Sequence, residues 1–63
     1  MKYIETQMRD GQKVHWRADE LHGFVVGVDH ISLYTSRDHV FHIAVNEKNN
    51  QALADWLRWL EEH

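Results

Sequence analysis

The stretch Asn46-Glu47-Lys48-Asn49-Asn50-Gln51-Ala52-Leu53-Ala54-Asp55-Trp56-Leu57-Arg58-Trp59-Leu60-Glu61-Glu62-His63 decides how this chain is read. It holds neither proline nor glycine, and its apolar residues recur at helical spacing. At about 100° per residue, Leu53, Leu57 and Leu60 form one stripe, which Ala52, Trp56 and Trp59 widen to roughly 160° of arc. A surface helix usually needs only about 100°. Asn46 is placed to cap the first turn, and Glu47 to meet the positive end of the helix dipole. One side of so wide an arc can pack on the chain's own core, leaving the other for a partner. The stripe points Leu57 inward. Trp59 lies about 120° from its centre, which predicts an interface anchored on Trp59 and flanked by Ala52 and Trp56.

Upstream, the apolar period changes from helical to alternating. Ile4, Thr6 and Met8, then Val14, Trp16 and Ala18, read as two half-buried strands with Asp10-Gly11 in the turn between them. A one-residue slip would send one apolar set to the opposite face, so the loop must be odd in length. The expected pairs are Met8 with Val14, Thr6 with Trp16, and Glu5 with Arg17. Residues 24–28 and 31–34 read as two further strands. A tight turn at Asp29-His30 pairs Val28 with Ile31 and Val26 with Leu33, which gathers Phe24, Val26, Val28, Ile31 and Leu33 on one face. A single long strand bulged at Gly27 is the rival reading. The loop around Thr35-Ser36-Arg37-Asp38 is again odd, setting Leu33 against Phe41 and Ile31 against Ile43, with residues 39–45 as the fifth strand. The expected architecture is α+β: an antiparallel β-meander of about five strands with one C-terminal helix packed on one face, in a single small domain spanning residues 1–63.

At 63 residues the chain is near the lower size limit of a domain. Folding at that size buries only about 60% of the surface the unfolded chain exposes, which argues against a large enzymatic cleft. With no cysteine, neither a disulfide nor a thiolate metal site can reinforce it. The net charge of −3, with histidines neutral, is spread along the length and offers no phosphate-neutralising surface. Tyr3, Tyr34, Lys13 and Arg17 sit among Glu5, Asp19, Glu20 and Asp29, so direct nucleic-acid binding is not expected. No apolar run approaches the roughly 18 residues of a membrane span, and Met1-Lys2-Tyr3-Ile4-Glu5 lacks the apolar region of a signal peptide. The expectation is a cytoplasmic chain without a membrane partner.

Histidine is the compositional oddity, with six at His15, His22, His30, His39, His42 and His63. A metal ion needs three or four converging ligands, yet strand parity sends His39 and His42 to opposite faces. His30 and His42 can approach each other if Asp29-His30 continues a strand, with Asp29 or Ser32 completing a polar cluster. Spacing alone carries no convergence, so no metal site and no cofactor is expected. Ser32 falls opposite His42, but no glycine-rich elbow or helix N-terminus stands ready to stabilise an oxyanion. Gly23-Phe24-Val25-Val26-Gly27 lacks the lysine and the loop-to-helix context of a phosphate cradle.

By parity the outer face of strands three to five shows Val25, Gly27, Ser32, Tyr34, Val40, His42 and Ala44. That is more apolar and less charged than a free sheet face ordinarily is. Val25, Tyr34, Val40 and His42 therefore join Trp59, Ala52 and Trp56 as expected contact residues. No family signature emerges. The function expected is a non-enzymatic protein-interaction module, homodimeric or otherwise self-associating, that acts by binding another protein. One alternative is an inhibitor of the phage or mobile-element type, directed at a bacterial enzyme or nucleoprotein; it rests on what short cysteine-free chains commonly do. Another is a histidine-based regulator that responds to metal or pH.

Overall fold

The computed structural model describes residues 2–36 and 38–62. Five antiparallel strands, β1 (Tyr3–Gln7), β2 (Lys13–Arg17), β3 (Leu21–Val26), β4 (Ile31–Thr35) and β5 (Val40–Ile43), precede one helix, α1 (Glu47–Glu62). The helix packs on the strands, chiefly on β1, so the α+β architecture is as expected. The strands fall into two sheets, β1-β2 and β3-β4-β5. A short 3₁₀ turn, Ala18–Glu20, separates β2 from β3, and Ala18 within it is buried. The sheets meet at another place: Met8 bridges to Ile43, and Ala44 N–H donates to the Gln7 carbonyl. The end of β1 thus lies beside the end of β5.

Both odd-length loops use the same device. Gly11 N–H donates to the Met8 carbonyl, Met8 N–H to the Gln12 carbonyl, and Gly11 has φ +94°. Between β4 and β5, Asp38 N–H donates to the Thr35 carbonyl, Thr35 N–H to the His39 carbonyl, and Asp38 has φ +59°. Each is a three-residue loop whose last position is left-handed, a conformation that glycine and aspartate tolerate better than most residues. The second gives the expected pairs, Leu33 with Phe41 and Ile31 with Ile43. The first places Ile4 opposite Trp16 and Thr6 opposite Val14, one pair nearer the turn than the expected register. Gly11 ends the loop at residue 11, and parity survives because the shift is even. Glu5 consequently faces His15, at 3.3 Å, while Arg17 pairs with Asp19 at 3.0 Å.

The β3–β4 hairpin is a tight turn, as expected, but its corner is Val28-Asp29. Gly27 N–H donates to the His30 carbonyl at 2.8 Å, and Val26 opposes Ile31. A Cβ on Gly27 would stand 3.0 Å from that same carbonyl oxygen, so glycine permits the closure. Val28 accordingly lies in the turn, fully exposed, and not on the apolar face. The irregularity in β3 falls between Leu21 and Gly23 instead of at Gly27.

The core joins Ile4, Trp16, Ala18, Leu21, Ile31, Leu33 and Ile43 to Leu53 and Trp56 of α1. Asn46 caps the helix, its Oδ1 accepting from Asn49 N–H at 2.8 Å. The helical phase differs from the expected one. Asn49, Leu53 and Trp56 form the buried face, whereas Leu57 is 45% exposed and Leu60 nearly as much. Leu57 is about 100° around the helix from Trp56, on the flank of the packed face.

Candidate functional site

The outer face of β3-β4-β5 is composed as parity predicted. Val25 opposes Ser32, which opposes His42; Gly23 opposes Tyr34, which opposes Val40. Val25 is 57% exposed, Val40 45% and Tyr34 42%. None of the outer positions of these strands carries Asp, Glu, Lys or Arg. A solvated antiparallel face ordinarily alternates apolar-in with polar-out, so this one is unusual in having three large apolar side chains and no formal charge.

A polar chain runs through that face. His30 and His42 rings meet edge to face, with centroids 4.8 Å apart. His30 Nδ1 lies 2.7 Å from Asp29 Oδ1, and His42 Nδ1 lies 3.3 Å from Ser32 Oγ. The approach of His30 to His42 does not require Asp29-His30 to be strand; the turn at Val28-Asp29 delivers His30 to the same face. The Asp29 carboxyl is held below its ordinary value, first by the hydrogen bond with His30, then by the charge of that ring, with Arg9 contributing less. Ionised Asp29 therefore stabilises the fold fully above the ordinary 3.8, and this stabilisation is lost as pH falls through the lowered value. Thermal melts of the parent and of Asp29→Asn should differ at about pH 5 and converge once the pH falls below the lowered value.

The cluster has limited chemical reach. Ser32 and His42 form an open cross-strand contact on a sheet surface, and the ring beside His42 is a second imidazole, not the carboxylate that would orient a general base. Among the described residues no three His, Asp or Glu side chains are grouped to hold a metal ion. One equivalent of zinc is accordingly expected to shift the melting temperature by no more than a degree or so, since a ligand stabilises the state it binds. Strong stabilisation, abolished by His30→Ala or His42→Ala, would show that the two rings chelate.

The helix contributes less than expected to an external surface. Trp56 is inside the core, with Nε1 donating to the Ala18 carbonyl at 2.8 Å and its ring edge-to-face with Phe24. Ala52 and Trp59 are half-buried, and Trp59 packs against the core cluster. Trp59 also lines a shallow concavity of about 340 Å³ with Lys2, Asp55, Arg58 and Glu62. Its polar lining is thus two carboxylates and two cations, with no serine, threonine or histidine among the described residues. His63 lies outside the described residues. No described helix is long and apolar enough to cross a membrane.

Sequence reasoning missed Asn49, which is fully buried. Its side-chain Oδ1 accepts from Gln7 N–H at 2.7 Å, and its Nδ2 donates to the carbonyls of Gln7 at 2.9 Å and Ala44 at 2.6 Å. The amide thus clamps the helix start to the junction of the two sheets. No protein-family model, no curated protein and no solved structure matches this chain.

Proposed function

We propose that this chain is a non-enzymatic protein-interaction module whose contact surface is the outer face of β3-β4-β5. The observation that carries the reading is the uncharged exposed cluster Val25, Tyr34 and Val40, held on one face by the strand pairings around it. Covering such side chains with a partner gives about 25 cal/mol per Å² of apolar area removed from water, and none of the outer strand positions carries a formal charge to be stripped of solvent. Tyr34 suits the role further, because an aromatic with a polar tip tolerates both the free and the bound state.

Site-specific photo-cross-linking tests this. A photoreactive residue at position 34 should give discrete protein adducts in cells that are absent when the same residue replaces exposed His15, on the other sheet. Equal adducts from both positions, or none from 34, would sink the reading.

The contact of His30 with His42 favours a second reading, in which acid regulates the same surface. Protonation of either ring puts charge on an otherwise uncharged face, beside Tyr34, while Asp29 and Arg9 at its margin, 3.8 Å apart, offset one another. Cross-linking from position 34 that weakens in mild acid in the parent, but not in His42→Gln, would support it.

A further inference from the structure

The strand edges of this molecule are not treated alike. On β2, at the edge of its sheet, Lys13, His15 and Arg17 alternate along the chain. β5 is the shortest strand, and its end is covered by Gln7 and Met8 of β1. β3 is the longest strand and also an edge, and from Leu21 to Val28 it carries neither proline nor a formally charged residue. Natural edges of this length are blunted by charge, proline or a bulge, because an open ladder pairs with any available strand. Here only the first residues are irregular, at the shift between Leu21 and Gly23.

The free groups on that edge follow from the hairpin. The bond from Gly27 N–H to the His30 carbonyl makes 27 and 30 a hydrogen-bonded pair, and alternation then makes Val25–Ser32 and Gly23–Tyr34 hydrogen-bonded pairs as well. The backbone N–H and C=O groups of Phe24 and Val26 therefore point away from β4. The side chains agree. Val26 has inward parity yet is 58% exposed, because no inner layer covers the sheet at this margin.

We propose that a second copy of this chain pairs antiparallel along the free edge of β3 about a two-fold axis near Val25. This goes beyond the reading of the outer face as a contact surface, because edge pairing leaves that face uncovered and enlarges it. Phe24 of one copy then faces Val26 of the other, each pair exchanging both backbone bonds, and the symmetry repeats the pair. The two Val25 side chains meet on the outer face, and each Val26 is covered on the inner side. The outer faces of both copies become one continuous six-stranded surface. A second copy fits this edge because the free backbone groups are their own complement: those of Phe24 and Val26 lie symmetrically about Val25, and the general repulsion between copies of net charge −3 is least along a strand that carries no formal charge.

Sedimentation velocity and amide hydrogen exchange on the full chain, at low and high concentration, test the proposal. The parent should dimerise, and the Phe24 and Val26 amides should gain at least tenfold protection as the dimer forms. Val26→Pro should be monomeric with a melting transition close to that of the parent monomer, since proline is tolerated where the N–H faces away from the ladder. A chain monomeric even at millimolar concentration overturns the proposal, as does a dimer in which the Phe24 and Val26 amides exchange no more slowly than in the monomer. The exchange result decides the matter even if Val26→Pro fails to fold. A dimer that survives Val26→Pro but is broken by Tyr34→Glu overturns edge pairing and leaves the outer-face reading standing. Specific cross-links from position 34 in a strictly monomeric chain do the same, whereas their absence from a chain that dimerises with Phe24 and Val26 protected removes the outer-face reading alone and leaves edge pairing standing.

Discussion

Trp56→Ala should abolish cooperative folding at physiological temperature, while Leu57→Ala, one residue along, should cost about 0.5–1 kcal/mol. Trp56 is almost wholly buried, its ring meets Phe24 edge to face at 6.1 Å, and its indole N–H satisfies the Ala18 carbonyl. Truncating a buried tryptophan to alanine costs about 3–5 kcal/mol in the cavity and the lost transfer energy. The orphaned carbonyl adds to that, because Ala18 is itself buried. At about 0.05–0.15 kcal/mol per residue, a chain of this length holds only roughly 3–9 kcal/mol in reserve. Leu57 is nearly half exposed and loses little by truncation. Urea unfolding at 25 °C followed by far-UV circular dichroism measures both. Equal losses in the two variants would mean that the helix is rotated from the described phase by about 100°, with the leucine stripe facing inward. Trp56→Phe separates the contributions in part: it keeps a six-membered ring but loses the donor together with some buried volume, so its loss should be about 1 kcal/mol beyond the volume change.

The contrast between those neighbours shows where residue patterns stop being informative. Side-chain parity on a strand is a two-fold choice. Ile4, Thr6 and Trp16, or Ile31, Leu33 and Ile43, reach the correct face even when the register slips by a whole pair. The slip itself depends on a torsion angle. Gly11 ends its loop by taking φ +94°, and the residue letters do not state which of several turn positions it will occupy. A helix has no such binary protection. Three leucines outweigh an asparagine in any hydrophobic average, so the stripe reading follows Leu53, Leu57 and Leu60 when the molecule packs Asn49, Leu53 and Trp56. Tryptophan adds to the ambiguity, because its indole reaches far from the helix axis and bonds a backbone group on another element.

The candidate surface was legible to the same extent. Alternation alone placed Val25, Tyr34, Val40 and His42 on one face, and the strand pairings hold them there. Trp59 was expected to stand clear of the domain. The structure packs it partly against the core, because α1 lies along β1 and its Trp59 flank reaches the hollow lined by Lys2. That β3 is an open edge was not legible, since it follows from the 3₁₀ turn that separates β2 from β3 and from a long-range bond between Ala44 and Gln7 that sets β1 beside β5, neither of which a local pattern encodes.

Asn49→Ala should be the most damaging polar substitution in the chain, costing about 2–6 kcal/mol. The asparagine amide is fully buried at the start of α1, and it binds both the N–H and the carbonyl of Gln7, which lies 42 positions earlier in the chain, together with the carbonyl of Ala44. Gln7 keeps one bond in the variant, because Ala44 N–H still donates to its carbonyl. The Gln7 N–H and the Ala44 carbonyl lose their partner in a part-buried site, and each such orphan costs up to about 1–3 kcal/mol. Asn49→Asp should be worse at neutral pH, since a second oxygen replaces the donor and faces two carbonyl oxygens, and the carboxylate charge is buried as well. Acid should partly rescue that variant, because a protonated carboxyl regains one donor. Hydrogen exchange at the Gln7 amide reports the bond directly, and denaturant unfolding its energetic weight. If Asn49→Ala unfolds within about 0.5 kcal/mol of the parent, water has filled the site and satisfied both groups, and the clamp between helix and sheets is not what holds the two ends together.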